Sequence, residues 1–119
     1  MSSRISQWTL DVADVSRMAD FWAGVLGYEP ETADDGSVHL RPPPYRMPGE
    51  PTMWLQACGG VKSDKNRNHP DLRAIGGDID AEVKRVEALG ARRIDIGQQP
   101  DDPFVVLADP EGNEFCILQ

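Results

Sequence analysis

The chain is short of cysteine, of aromatic side chains, of positive charge and of long apolar runs, and each shortage closes off a class of protein. Two cysteines in 119 residues, Cys58 and Cys116, are too few for a disulfide framework. They lie outside any Cys-x-x-Cys spacing, so both read as free thiols acting as small buried side chains. No stretch approaches the roughly 18 apolar residues of a membrane span. Met1 to Leu10 has no charged start followed by an apolar core, the pattern of a secretory leader. A cytoplasmic protein without a membrane partner is therefore expected. Twelve basic residues against twenty acidic ones leave a net charge of −8, which repels a phosphate backbone and argues against nucleic acid as a partner. The densest basic group is Lys62, Lys65 and Arg67. Nucleophile-elbow, P-loop and His-Glu-x-x-His motifs are missing.

What is present is a pattern stated twice. Met18, Phe21, Trp22, Val25 and Leu26 recur at helical spacing, with Asp14 placed to cap the start and Gly27 to end it. About sixty residues later Asp78 leads Ile79, Val83, Val86 and Leu89, and Gly90 ends that stripe. Each helix is preceded by a short alternating run, Ile5 to Val12 and His69 to Ala74, of the kind that forms half-buried strands. Further strands are predicted at Tyr28 to Ala33, Ser37 to Arg41 and Thr52 to Cys58, then at Arg92 to Ile96, Phe104 to Ala108 and Glu114 to Leu118. Asp35-Gly36, Pro42 to Pro51, Pro100 to Pro103 and Asp109 to Asn113 carry the turn signals between them. The Gly59-Gly60 and Gly76-Gly77 doublets read as turns. The fold class is therefore α+β, as two βαβββ units: one at about 4–58, a polar connector at 59–68, and one at about 69–119. Units this short cannot bury enough alone, so a single domain with a shared core is expected over 1–119.

Paired βαβββ units, a helix closing on Leu-Gly in each, and a last strand introduced by Asp109-Pro110-Glu111-Gly112-Asn113-Glu114-Phe115 resemble the glyoxalase-like proteins of the vicinal oxygen chelate superfamily. The segment Lys65-Asn66-Arg67-Asn68-His69-Pro70-Asp71-Leu72 is similar to an element of one bacterial branch of that family. The resemblance implies one half-open, cup-shaped mixed sheet with the helices outside, a small-molecule ligand within, and a homodimer. It also implies a divalent metal in many members, at positions that correspond here to Gln7, Gln56, His69 and Cys116. That quartet contains no carboxylate, where relatives carry glutamate. Hard ions such as magnesium or manganese suit it poorly, and zinc would have only His69 and Cys116 as good donors. No cofactor is favoured on this reading, and a divalent metal is kept as the open case.

Strand alternation places Gln7, Thr9 and Asp11 opposite Trp8, Leu10 and Val12, and His69, Asp71 and Arg73 opposite Pro70, Leu72 and Ala74. If the apolar sets cover the helices, the polar ones line the ligand face. Trp54, Gln56 and Cys58 join them there, as do Glu114, Cys116 and Leu118. His69 is then the candidate acid or base, with Asp71 tuning its imidazole; Trp54 serves packing or stacking. His39, among polar neighbours, reads as a solvated strand residue. The proline-rich stretch 42–51 reads as a lid or as a stiff connector. Two functions remain: an enzyme of lyase or isomerase type acting on an oxygenated metabolite, or a non-catalytic drug- or metabolite-binding protein of the bleomycin-resistance type, with Trp54 and Tyr45 as apolar platforms.

Overall fold

The computed structural model describes residues 1–58 and 60–119. Gly59, the start of the expected connector and half of the Gly59-Gly60 doublet, lies outside the described residues. The chain divides into two compact units, Met1–Val61 and Lys62–Gln119.

In the first unit β1 (Gln7–Val12) leads to α1 (Val15–Leu26), then β2 (Glu29–Thr32), β3 (Val38–Arg41) and β4 (Thr52–Ala57). The sheet order is β1-β4-β3-β2, with β1 parallel to β4 and the other pairs antiparallel. Asp14 accepts a hydrogen bond from the Arg17 amide at 3.1 Å, a cap worth about 1 kcal/mol. Gly27 ends α1 in the left-handed region, φ 67°, and a Cβ there would also meet the Arg46 guanidinium at 3.3 Å. The left-handed backbone favours glycine there, and the close guanidinium would have to shift by a few tenths of an ångström for any larger residue. The apolar stripe of α1 packs on the sheet, where Met18, Phe21, Trp22 and Val25 are buried with Val12, Val38, Leu40, Met53 and Leu55. The opposite sheet face keeps the polar half of the alternation, and that is where the candidate ligand residues of this unit stand.

The proline-rich stretch is a pinned connector. Arg46 donates to the carbonyl of Leu26 at 2.8 Å and pairs with Glu50 at 2.6 Å. Its guanidinium also lies over the Tyr28 ring, 5.7 Å from the centroid. The Tyr28 hydroxyl donates to the carbonyl of Pro51 at 2.7 Å. Burial, and then Glu50, hold its phenol above the ordinary range. Tyr45 and Met47, on either side of the anchor, are exposed.

The second unit repeats the plan: β5 (Asp71–Arg73), α2 (Ile79–Leu89), β6 (Arg92–Arg93), β7 (Phe104–Ala108) and β8 (Glu114–Leu118), in the order β5-β8-β7-β6. Asp78 caps α2 through the Ala81 amide at 3.0 Å, and Gly90 ends it at φ 125°. Val83 and Val86 are the buried positions of α2, which packs on β8. The parallel β1–β4 and β5–β8 pairs, each bridged by a helix and two strands, make the two units βαβββ modules of an α+β fold.

Six strands are shorter than their sequence patterns predict, β5 and β6 most of all, by three residues each. β5 begins at Asp71 because Pro70 has no amide to donate, although its carbonyl still accepts from the Cys116 amide at 3.1 Å. β6 stops after Arg93: Ile94 makes one more bond to Val106, and then Asp95 accepts from the Gly97 amide while Gln98 accepts from the Ile96 amide. Those local bonds compete with the ladder and end the strand.

Candidate functional site

In the second unit the parallel register sets Asp71 beside Cys116 and Arg73 beside Leu118. His69, two residues before Asp71, falls on the same side. The result is a convergence of imidazole, carboxylate and thiol whose ligand atoms all lie within 4.8 Å of one another. His69 Nε2 stands 3.4 Å from Asp71 Oδ1, with the imidazole half-buried and the carboxylate half-exposed. Cys116 is buried. Burial first, then the charge of Asp71 and a hydrogen bond to it, push its thiol up to about 11. A raised folded-state pKa favours the protonated form. This contribution to stability is therefore complete below pH about 9 and is lost as pH rises toward about 11. Without metal, Cys58 is expected to react with a thiol reagent at neutral pH at least tenfold faster than Cys116, and the gap is expected to narrow as pH approaches 11. Counting the two thiol phases against pH checks this.

Arg73, expected on the ligand face, donates through Nη1 to the carbonyl of Gln119. Glu114, expected there too, is buried and committed elsewhere. Its carboxylate pairs with Lys62 at 2.9 Å and accepts from the Asn66 amide at 3.1 Å. Burial alone would raise this carboxyl, but Lys62 and the Asn66 amide outweigh it and hold the group below its ordinary value.

Asn66 also donates from Nδ2 to Asn113 Oδ1 at 3.0 Å. Asn113 in turn donates to the fully buried Asp109, whose Oδ1 further accepts from the amides of Glu111 and Asn113 at 3.0 and 2.9 Å. Gly112 closes the turn at φ 90°, a conformation that strains other residues. The segment holding Lys62 and Asn66 is thereby clasped to the turn that starts β8. Both stretches that carried the family resemblance are halves of one hydrogen-bonded lock, and that lock delivers His69 to the flank of Cys116.

In the first unit Gln7, Thr9 and Asp11 lie in register with Thr52, Trp54 and Gln56 on the polar face of β1 and β4. Gln7 and Gln56 are four register steps apart, roughly 13 Å along the strands. Gln7 Oε1 is moreover engaged by the Thr52 hydroxyl at 3.1 Å. Within the expected quartet of Gln7, Gln56, His69 and Cys116 the parallel register separates the two amides, and a carboxylate, Asp71, stands beside His69 and Cys116. Cys58 is exposed, contrary to its expected burial, because it follows the last residue of β4. Trp54 is half-buried against His39, ring centroids 5.5 Å apart at 56°. His39 is half-buried: Arg41 Nε donates to its Nδ1 at 3.2 Å, and its Nε2 is buried with no hydrogen-bond partner among the described residues. Its alternate position in β3 places it over the Trp54 ring, and the polar neighbours in sequence hid that pairing.

A sequence profile described as a glyoxalase-like domain matches residues 7–118. The chain belongs to that family. Solved structures agree with this placement in the vicinal oxygen chelate superfamily. The glyoxalase-like chain is similar to the fosfomycin resistance protein FosX of Mesorhizobium loti at 19% identity, covering 99% of this chain and 92% of that one, TM-score 0.74. It is similar to a variant FosX of Listeria monocytogenes complexed with Mn(II) and 1S,2S-dihydroxypropylphosphonic acid, at 16% identity over 99% and 90% of the two chains, TM-score 0.75. A glyoxalase/bleomycin resistance protein/dioxygenase family enzyme of Burkholderia phytofirmans matches at 19% identity over 97% of each chain, TM-score 0.70. At such identities the likeness speaks for the fold. No curated protein sequence matches the chain significantly. Among the described residues, no helix is long and apolar enough to cross a membrane.

Proposed function

We propose that this glyoxalase-like chain is a small-molecule enzyme of lyase or isomerase type, acting on an oxygenated metabolite at the His69–Asp71–Cys116 cluster. The observation that carries the reading is the approach of the three donor atoms to within 4.8 Å. Tetrahedral ligands at about 2.0 to 2.3 Å from one ion lie roughly 3.3 to 3.8 Å apart, so side-chain movements of about 1 Å would let the three share a zinc-class ion. Imidazole, carboxylate and thiolate form a borderline-soft set that suits zinc better than manganese. The ion seen in the Listeria relative supports metal chemistry on this fold rather than that particular ion.

When bound, such an ion supplies a Lewis acid that polarises a substrate oxygen. The chain's own part is to hold and to orient. His69 would bind the ion through Nε2 and Cys116 through Sγ; the thiol proton would leave to solvent, because Asp71 has to stay ionised to serve as the third ligand. The neutralisation of Glu114 by Lys62 keeps a second carboxylate from competing. Gln7, Thr9, Asp11, Trp54, Gln56 and Cys58 remain the proposed ligand-contacting set of the first unit. A single domain, a homodimer and a cytoplasmic location complete the reading.

The test is to incubate the protein with a panel of oxygenated metabolites in deuterated buffer and follow them by proton NMR. Conversion or solvent-proton exchange, lost on His69→Ala, supports an enzyme. A second reading, non-catalytic binding of a drug-like ligand, is favoured by the Trp54 and His39 rings on the polar face of the first unit. A ligand that binds and is recovered unchanged after prolonged incubation would establish it and overturn the first.

A further inference from the structure

The register of the first unit lines up four residues across one sheet face: Glu31 of β2 opposite His39 of β3, His39 opposite Trp54 of β4, and Trp54 opposite Thr9 of β1. Side chains directly opposite one another share a face, so the two rings stand at its centre between Glu31 and Thr9. The imidazole is fixed from one side. Glu31 Oε1 accepts from Arg41 Nη2 at 3.5 Å, and Arg41 Nε donates to His39 Nδ1 at 3.2 Å. An Nδ1 that accepts leaves the hydrogen of a neutral imidazole on Nε2. That Nε2 is buried and has no hydrogen-bond partner among the described residues. The Trp54 indole packed beside the imidazole has an N–H to give and no lone pair to offer. Folded chains seldom keep a buried N–H without an acceptor, and here the unmet donor stands on the face that strand alternation assigns to the ligand.

We infer that His39 Nε2–H is the specificity-determining donor for a ligand oxygen, that Trp54 is the platform for the ligand's ring, and that the ligand is a neutral planar carbonyl compound, an aromatic amide or ketone by class. The inference rests on the reading that this polar face contacts the ligand. An imidazole N–H pairs with an oxygen acceptor, and the half-buried indole offers a flat surface that a planar ring covers well. The strands of this face carry Asp11, Glu29 and Glu31 against Arg41, so an anion is repelled and a neutral oxygen is preferred. Because Nε2 is buried, a neighbouring side chain must turn aside to admit the ligand. Trp54, half-buried and in ring contact with His39, is assigned that movement. A ligand without an oxygen leaves the donor unpaired, and that difference is what discriminates.

The experiment titrates the full chain with benzamide, benzoate, acetamide and toluene while NMR follows the His39 ring nitrogens and the Trp54 indole N–H. Before any addition, the His39 nitrogens are expected to show the Nε2-protonated tautomer. Benzamide is expected to shift the Nε2 and indole signals together and saturably, about tenfold tighter than toluene, which lacks the oxygen. Acetamide, which lacks the ring, and benzoate, which is charged, should both bind more weakly than benzamide. His39→Phe keeps a ring and removes the donor, so benzamide should weaken about tenfold while toluene changes little. His39→Gln, whose amide offers a donor, should recover part of the loss, and Trp54→Ala should weaken benzamide and toluene alike. Without a probe, His39→Phe should melt at or above the wild-type temperature, because an unpaired buried donor has been removed; a fall of more than about 5 °C would make the role structural and overturn the inference. Benzamide binding equal in wild type and His39→Phe would overturn it too. Shifts confined to residues 69 to 71 and Cys116, with His39 and Trp54 silent, overturn it while the reading of that cluster stands. His39-dependent binding in a chain that turns nothing over sinks only the enzyme reading.

Discussion

His69→Ala is expected to lower turnover of any substrate found by at least about a hundredfold while leaving the fold intact. The imidazole is half-buried at the strand edge, and its contact is with Asp71 rather than with the apolar core, so little packing is lost. What is lost is one of three donors. A Lewis acid at a reacting oxygen contributes several kcal/mol to transition-state stabilisation, and each 1.4 kcal/mol is tenfold in rate. Steady-state kinetics beside a thermal melt check both halves of the expectation. A variant that unfolds would mean that His69 serves structure, and a folded variant with full activity would place the chemistry elsewhere.

Asp109→Ala is expected to be the most damaging change at the start of β8, at roughly 3 kcal/mol or more. The carboxylate is fully buried, and its Oδ1 receives the amides of Glu111 and Asn113 and the Asn113 side chain. Truncation leaves those donors buried without acceptors, at about 1–3 kcal/mol each where no water can enter. The clasp fails with it, since Asn113 is also the partner of Asn66. For a chain of this length the melting temperature should fall by about 10 °C or more. The same variant should lose metal affinity, because the segment carrying His69 is tied down through Asn66. A melt within about 2 °C of the wild type would show that the turn does not depend on this carboxylate.

Local physics made most of the fold legible. Asp14 and Asp78 read as caps, and Gly27 and Gly90 as stops, because capping depends on a few adjacent residues; β7 and β8 followed from apolar runs bounded by turn signals. The two most shortened strands, β5 and β6, were less legible, since the missing amide of Pro70 and the local bonds around Asp95 decide their ends. The site was legible only in part. His69 and Cys116 were singled out, but Asp71 was read as a partner of the imidazole alone, because only the β5–β8 register sets it beside Cys116. That position follows from pairing across more than forty residues, which no local pattern contains. The spacing of Gln7 and Gln56 was hidden for the same reason: the parallel register sets them at opposite ends of a strand pair. Glu114 looked like a ligand residue because its alternation is right, whereas the ammonium of Lys62 claims it from far along the chain. His39 was misread through its polar neighbours, which say nothing about the Trp54 ring on the adjacent strand.

The most direct test of the central claim, that His69, Asp71 and Cys116 together hold one ion, is a titration of the purified chain with cobalt(II) followed by absorption. The account predicts a thiolate-to-metal charge-transfer band that saturates at one equivalent, is displaced by zinc, strengthens as pH rises and the thiol gives up its proton, and is absent in both Cys116→Ser and His69→Ala. No band in the folded wild type, or a band that survives Cys116→Ser, would contradict it.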